Sequence, residues 1–199
     1  MIAVATYIYD DVETLDFSGP CTVFSYANKN SGKTLFQNYT FSDNKKEVRT
    51  QNDITITADH FIDNMPSFDV LLIPGGPGSR KEINNKKIIN LILKTASDKK
   101  FIISVCTGAL LMAKAGLLNN SVAPTHRAAA AELAAIDQTI KFSDELPFIY
   151  DEKRLYIQTS GVLTGITGAL FFVKQKFGAG LAEKIYKHMY CDKVSLNTF

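Results

Sequence analysis

Two short runs in this chain, VLLIP from Val70 and FIISVC from Phe101, are apolar almost without interruption, and each is closed at once by a glycine-bearing turn, GGPGS or TGALL. A strand with one face in water alternates polar and apolar residues, so runs without alternation read as strands buried on both faces. Between them, from about Asn84 to Ser97, Ile88, Leu91, Ile92 and Thr95 recur at the i, i+3, i+4, i+7 spacing of an amphipathic helix. Strand, helix and strand in that order predict parallel pairing, with the crossover helix lying on the sheet.

The same alternation continues through most of the sequence. IAVATYIY predicts a first strand, followed by a helix that starts near Ser18-Gly19-Pro20, with Ser18 as its cap and Pro20 just inside. Leu35 to Ser42 and Ile54 to Ala58 are candidate strands. A helix follows Cys106 and stops near Gly116. After SVAPTH come an Ala-rich helix from Arg127 to Ile136, an edge-like stretch around Phe148 to Asp151, the strand LYIQTSG from Leu155, and two helices up to about Met189. The expectation is an α/β fold with a mostly parallel sheet and helices on both faces. With no internal repeat, low-complexity stretch or linker in 199 residues, one domain over 1–199 is expected.

Composition excludes several function classes. Lys and Arg number 22 against 20 Asp and Glu, a net charge of +2, and the pairs Lys45-Lys46, Lys86-Lys87 and Lys99-Lys100 are scattered, so no nucleic-acid footprint is expected. Apolar stretches such as ALLMA from Ala109 fall far short of the roughly 18 residues that span a bilayer. The first basic residue is Lys29, which does not fit the charged start of a secretory signal, and a cytoplasmic location is expected. Cys21, Cys106 and Cys191 show no CxxC spacing, and His60, His126 and His188 stand apart, so neither a disulfide framework nor a metal site is expected.

Ligands of open parallel sheets bind at the carboxyl ends of the strands, and three reactive segments fall there: Asp16, Gly75-Gly76 and Cys106. Cys106 stands at a strand-to-helix bend, where unpaired N–H groups favour a thiolate, and it is the candidate nucleophile. A buried structural cysteine is the other reading. Asp16 has Asp10, Asp11 and Glu13 as neighbours. In a half-dry cleft its pKa would rise and suit it to relay a proton; in the open it would be a solvated loop acid. Gly75 and Gly76 offer bare amides for an anionic intermediate, or an ordinary turn. His126 reads either as a base beside the thiol or as a structural hydrogen-bonder. Cys21 is read as a packing or surface thiol close enough to the Asp16 segment to border the cleft.

On the motifs TLDFSGPCTVF from Thr14, LLIPGGPGS from Leu71, SVCTGALLMAKAGLL from Ser104, THRAAAAEL from Thr125 and TSGVLTGITGAL from Thr159, the chain resembles the ThiJ/PfpI superfamily of class I glutamine amidotransferase-like proteins. The resemblance implies a flavodoxin-like three-layer sandwich, a homodimer and no cofactor. Peptidase-like members have a histidine directly after the cysteine, where this chain has Thr107. An aspartate in the first motif together with Cys-Thr-Gly is closest to the isonitrile hydratase branch. This implies Cys106 as nucleophile, assisted by Asp16 and Thr107, with Gly75, Gly76 and His126 at the substrate or oxyanion. The implied activity is hydration of a small isonitrile to a formamide, in a pocket lined by Phe17, Ile73 and Val105 and with Thr107 orienting Asp16 or a water. A glyoxalase or deglycase acting on methylglyoxal and a non-catalytic redox or small-molecule sensor are the alternatives. Arg127 and Thr167 depart from the family pattern, Arg127 adding a cation near the cleft. Cys-Thr-Gly also occurs in sensor domains of regulators with a helix-turn-helix module, for which the chain, ending at Phe199, is expected to leave no room.

Overall fold

A computed structural model describes residues 1–193. In chain order, β1 (Ile2–Tyr7) leads into α1 (Thr14–Ser31), followed by β2 (Phe36–Ser42), β3 (Glu47–Arg49), β4 (Thr55–Thr57), β5 (His60–Phe61) and β6 (Val70–Ile73). Then come α2 (Ser79–Glu82), α3 (Lys86–Ser97), β7 (Phe101–Val105), α4 (Gly108–Lys114), β8 (Val122–Ala123), a 3-10 turn at Arg127–Ala129 and α5 (Ala130–Ile136). The remainder is β9 (Lys141–Phe142), β10 (Phe148–Asp151), β11 (Tyr156–Thr159), α6 (Thr164–Phe177), α7 (Ala179–His188) and a 3-10 turn at Cys191–Lys193. The expected domain extends to 199, of which 194–199 lie outside the described residues.

Seven strands form the main sheet in the order β10-β11-β7-β6-β1-β2-β5, parallel throughout except for the antiparallel edge pair β10-β11. β6 is buried along its whole length, as is β7 beyond Phe101, in keeping with their unbroken apolar sequence. α1, α6 and α7 pack together on one side, and α4 packs with α2, α3 and α5 on the other. α3 turns Ile88, Ile92 and Thr95 inward, and Asn85 caps it through its side chain. From β1 the chain passes to β2 on one side and later to β6 on the other. The crevice where the order reverses, at the carboxyl ends of β1 and β6, is where open α/β sheets bind ligands.

The first helix corrects the expectation. It begins at Thr14, and its cap is Glu13, whose side chain accepts from the Leu15 amide, while Ser18 and Pro20 lie inside the helix. Pro20 donates no backbone hydrogen bond to this helix, but burial of Phe17, Val23, Phe24 and Ala27 along it outweighs that loss. Asp16 therefore sits in the first turn of a helix rather than in a loop. The candidate strand at Ile54 to Ala58 contributes only β4, which pairs with β3 in a separate two-stranded sheet, and β8 with β9 forms another. Among the described residues no helix is long and apolar enough to cross a membrane.

Candidate active site

Cys106 follows β7 with φ 56, in the left-handed region that a residue with a Cβ enters only when its surroundings hold it there. Both of its backbone groups are held. Its N–H donates to the Thr159 carbonyl of the neighbouring strand at 3.0 Å, and its carbonyl accepts from Thr125 Oγ1 at 3.0 Å. Gly108 follows without a side chain because a Cβ there would stand 2.2 Å from the Ile73 carbonyl oxygen. The bend thus aims the thiol over the end of the sheet, where the residue keeps 6% of its surface exposed.

Asp16 is brought to the same place from α1 and has no exposure at all. Its Oδ2 accepts from the Gly75 amide at 2.8 Å, whereas its Oδ1 is buried without a hydrogen-bond partner. Gly75 is small for a physical reason: a Cβ would lie 2.5 Å from Thr107 N and 2.9 Å from Asp16 Oδ2. Tyr9, buried behind the loop, donates its hydroxyl to the carbonyls of Pro74 at 2.8 Å and Gly75 at 2.9 Å. Gly76 has φ 118, and its N–H donates to Thr107 Oγ1 at 2.9 Å. Ser79 donates to the Gly76 carbonyl at 2.8 Å and to Thr107 Oγ1 at 3.1 Å.

These bonds correct three expectations about roles. The Gly75 and Gly76 amides are committed to Asp16 and Thr107, so neither is a free oxyanion donor. Thr107 is tied to the Gly76 loop and makes no hydrogen bond to Asp16. The thiol does not rest as thiolate: burial, reinforced by the Asp16 charge, pushes Cys106 up to about 12, against the opposing Thr107 amide. α4, at seven residues, adds too little at its N-terminus to win. Burial also raises Asp16, from 3.8 to about 7, with Glu13 adding to the shift and the Gly75 amide opposing it. Asp11 and Asp10, the latter paired with Lys45, are not among the causes. From pH 7 upward the pair holds one proton on sulfur, beside a carboxylate placed to take it.

A cleft of about 360 Å³ opens at Cys106 and Thr107, with Glu13, Gln51, Arg80 and His126 in its walls. Pro77, Ala128 and Val162 add apolar wall beside these groups, so the cleft is largely apolar as expected, though through other residues than those expected. Phe17, Ile73 and Val105 are buried in the core and do not line it. Arg80 donates from Nε and Nη2 to the two oxygens of Glu132 at 2.8 and 2.7 Å, an ion pair in the cleft wall. His126 turns Nδ1 toward the Ala128 amide at 3.2 Å, as a helix cap. Cys21 borders a different groove and lies 3.7 Å from Thr6 Oγ1. Arg127 is outside the cleft, paired with Asp144 at 3.3 Å, and Thr167 is exposed on α6. Sequence reasoning missed Tyr9, Gln51, Ser79 and Arg80 and used Glu13 only as a neighbouring charge; Ser79 and Arg80 stand directly after the glycine loop, which was their one available signal.

Residues 3–172 match the DJ-1/PfpI family. The HTH-type transcriptional regulator GbdR of Pseudomonas aeruginosa is 22% identical over 192 residues, 96% of this chain and 51% of its own length. The isonitrile hydratase of Pseudomonas putida is 24% identical over 125 residues, 63% of this chain and 52% of its own. The chain thus spans about half the length of these curated relatives. The crystal structure of Drosophila melanogaster DJ-1beta matches with a TM-score of 0.82 at 18% identity, over 95% of this chain and 97% of the other, which shows the shared fold.

Proposed function

This chain belongs to the DJ-1/PfpI family, and from that premise we propose that it hydrates isonitriles to N-substituted formamides, with Cys106 as nucleophile and Asp16 as proton carrier. The observation that carries the reading is the Asp16 carboxylate, wholly buried, with one oxygen fixed by Gly75 and the other left without a partner beside the strained cysteine. The isonitrile hydratase relative supports the same assignment.

Asp16 removes the thiol proton as sulfur bonds to the terminal isonitrile carbon, then hands that proton to the same carbon, leaving a thioimidate, R–N=CH–S–Cys106. A carboxylate near pKa 7 suits both halves of this relay at neutral pH. Water then adds across the C=N bond, its hydroxyl to carbon and its proton, through Asp16, to nitrogen. Collapse of the tetrahedral adduct breaks the C–S bond, the hydroxyl proton returns through Asp16 to sulfur, and R–NH–CHO leaves. The Thr107 amide, which already lowers the thiol pKa, stabilises negative charge on sulfur. Thr107 and Ser79 act as braces that hold the Gly76 loop in place.

A second reading, a small-molecule sensing domain, is favoured by the regulator relative, which aligns with nearly the whole chain but only about half of itself. Purified protein mixed with an alkyl isonitrile, and separately with methylglyoxal, separates the readings when formamide and lactate are followed by NMR. Formamide that disappears in Cys106→Ala is expected. Lactate instead would move the assignment to a glyoxalase, and neither product would favour the sensor.

A further inference from the structure

We propose that Glu13 makes the cleft selective for substrates that carry a positive charge. Two charged side chains line the cleft, Glu13 and Arg80, and they are not in equal states. Arg80 spends its fork on both oxygens of Glu132, and its remaining contact, from Nη1, is to the Gly76 carbonyl at 3.4 Å. It therefore offers an incoming anion little. Glu13 forms no ion pair among the described residues, and the one hydrogen bond to its carboxylate comes from the Leu15 amide at 3.2 Å, on Oε1.

The position of Glu13 is fixed by the floor of the site. Its N–H donates to the Gly75 carbonyl at 2.9 Å, and its backbone lies so close to Gly76 that a Cβ on that glycine would come within 2.5 Å of Glu13 N. The remaining polar groups of the wall do not cancel its charge. Gln51 is neutral, and His126 turns Nδ1 to the Ala128 amide rather than to Glu13. The wall therefore carries one uncompensated negative charge beside the nucleophile, with Asp16 behind it. This is a local property, since the chain as a whole carries +2 and would on average attract anions. For the hydratase reading, on which the substrate class rests, it specifies isonitriles whose N-substituent bears an ammonium group over those bearing a carboxylate.

The charge preference itself is tested without turnover, by the rate at which Cys106 is modified by two methanethiosulfonates, one trimethylammonium-bearing and one sulfonate-bearing. Each rate is normalised to that of a small free thiol, measured at low salt and about pH 8, and read on the Cys106 peptide by mass spectrometry. The wild type is expected to favour the cation by about tenfold, the scale of one partly screened charge nearby. Glu13→Gln, which keeps an oxygen for the Leu15 amide, should lower the ratio severalfold, to the residual preference that the Asp16 carboxylate leaves, and Glu13→Asp should retain the full preference. A wild-type ratio near or below one, or a preference undiminished in Glu13→Gln, overturns the proposal. A charge preference without formamide would refute the hydratase reading alone, and formamide without the preference would refute the role of Glu13 alone.

Discussion

Asp16→Asn should make the protein more stable above neutral pH while stopping its chemistry. The folded state raises the Asp16 pKa from 3.8 to about 7, chiefly by burial, so it binds this proton more tightly than the unfolded chain does. The stabilisation from that proton is complete below about pH 4 and is lost as pH rises through 7. At about 1.4 kcal/mol per tenfold change in proton affinity, the ionised carboxylate costs the fold about 4 kcal/mol relative to its protonated form. Asparagine is uncharged at every pH, has the same shape and can still accept from the Gly75 amide. Allowing for an amide NH2 left facing sulfur, the variant should gain about 2 to 4 kcal/mol at pH 8 and nothing near pH 4. Urea unfolding of both proteins across this range measures the difference, in which the other titrating groups cancel. A difference independent of pH, or a variant less stable than wild type at pH 8, would refute the claim that a buried charge is being held for function.

Tyr9→Phe leaves the Pro74 carbonyl without its buried side-chain donor and the Gly75 carbonyl with the Glu13 amide alone, so it should cost about 1 to 3 kcal/mol in urea unfolding. It should also slow formamide formation, since the loop that holds Asp16 loses its brace. Gly76→Ala forces a side chain onto φ 118 and within 2.4 Å of the Asp11 carbonyl oxygen; a loss of more than about 2 kcal/mol is expected, checked by thermal and urea unfolding. Arg127→Ala should leave turnover unchanged, because that cation lies outside the cleft.

What was legible in the sequence was what is locally encoded. The unbroken apolar runs of β6 and β7 and the spacing of Ile88, Ile92 and Thr95 reflect burial on known faces, and they placed the strand ends where Gly75 and Cys106 stand. Ser18-Gly19-Pro20 carries a helix-entry signature inside α1, whereas the actual cap, Glu13, is an uncommon one, so the sequence points to a later start than the structure has. β5, β8 and β9, at two residues each, are too short to carry a pattern. Within the site, residue identity was legible but protonation was not. Whether Cys106 rests as thiol depends on how deeply it and Asp16 are buried, which only the assembled layers decide. The same holds for the cleft wall, where the Arg80–Glu132 pair joins residues 52 apart in sequence.

The central claim, that Asp16 carries the proton of Cys106, is tested most directly by the pH dependence of kcat/KM for formamide formation between about pH 5 and 9. The account predicts a rise of about tenfold per pH unit that bends to a plateau near pH 7, as Asp16 ionises while sulfur keeps its proton. A profile flat through pH 7, or one that keeps rising toward pH 9 as a free thiol ionises, would contradict it.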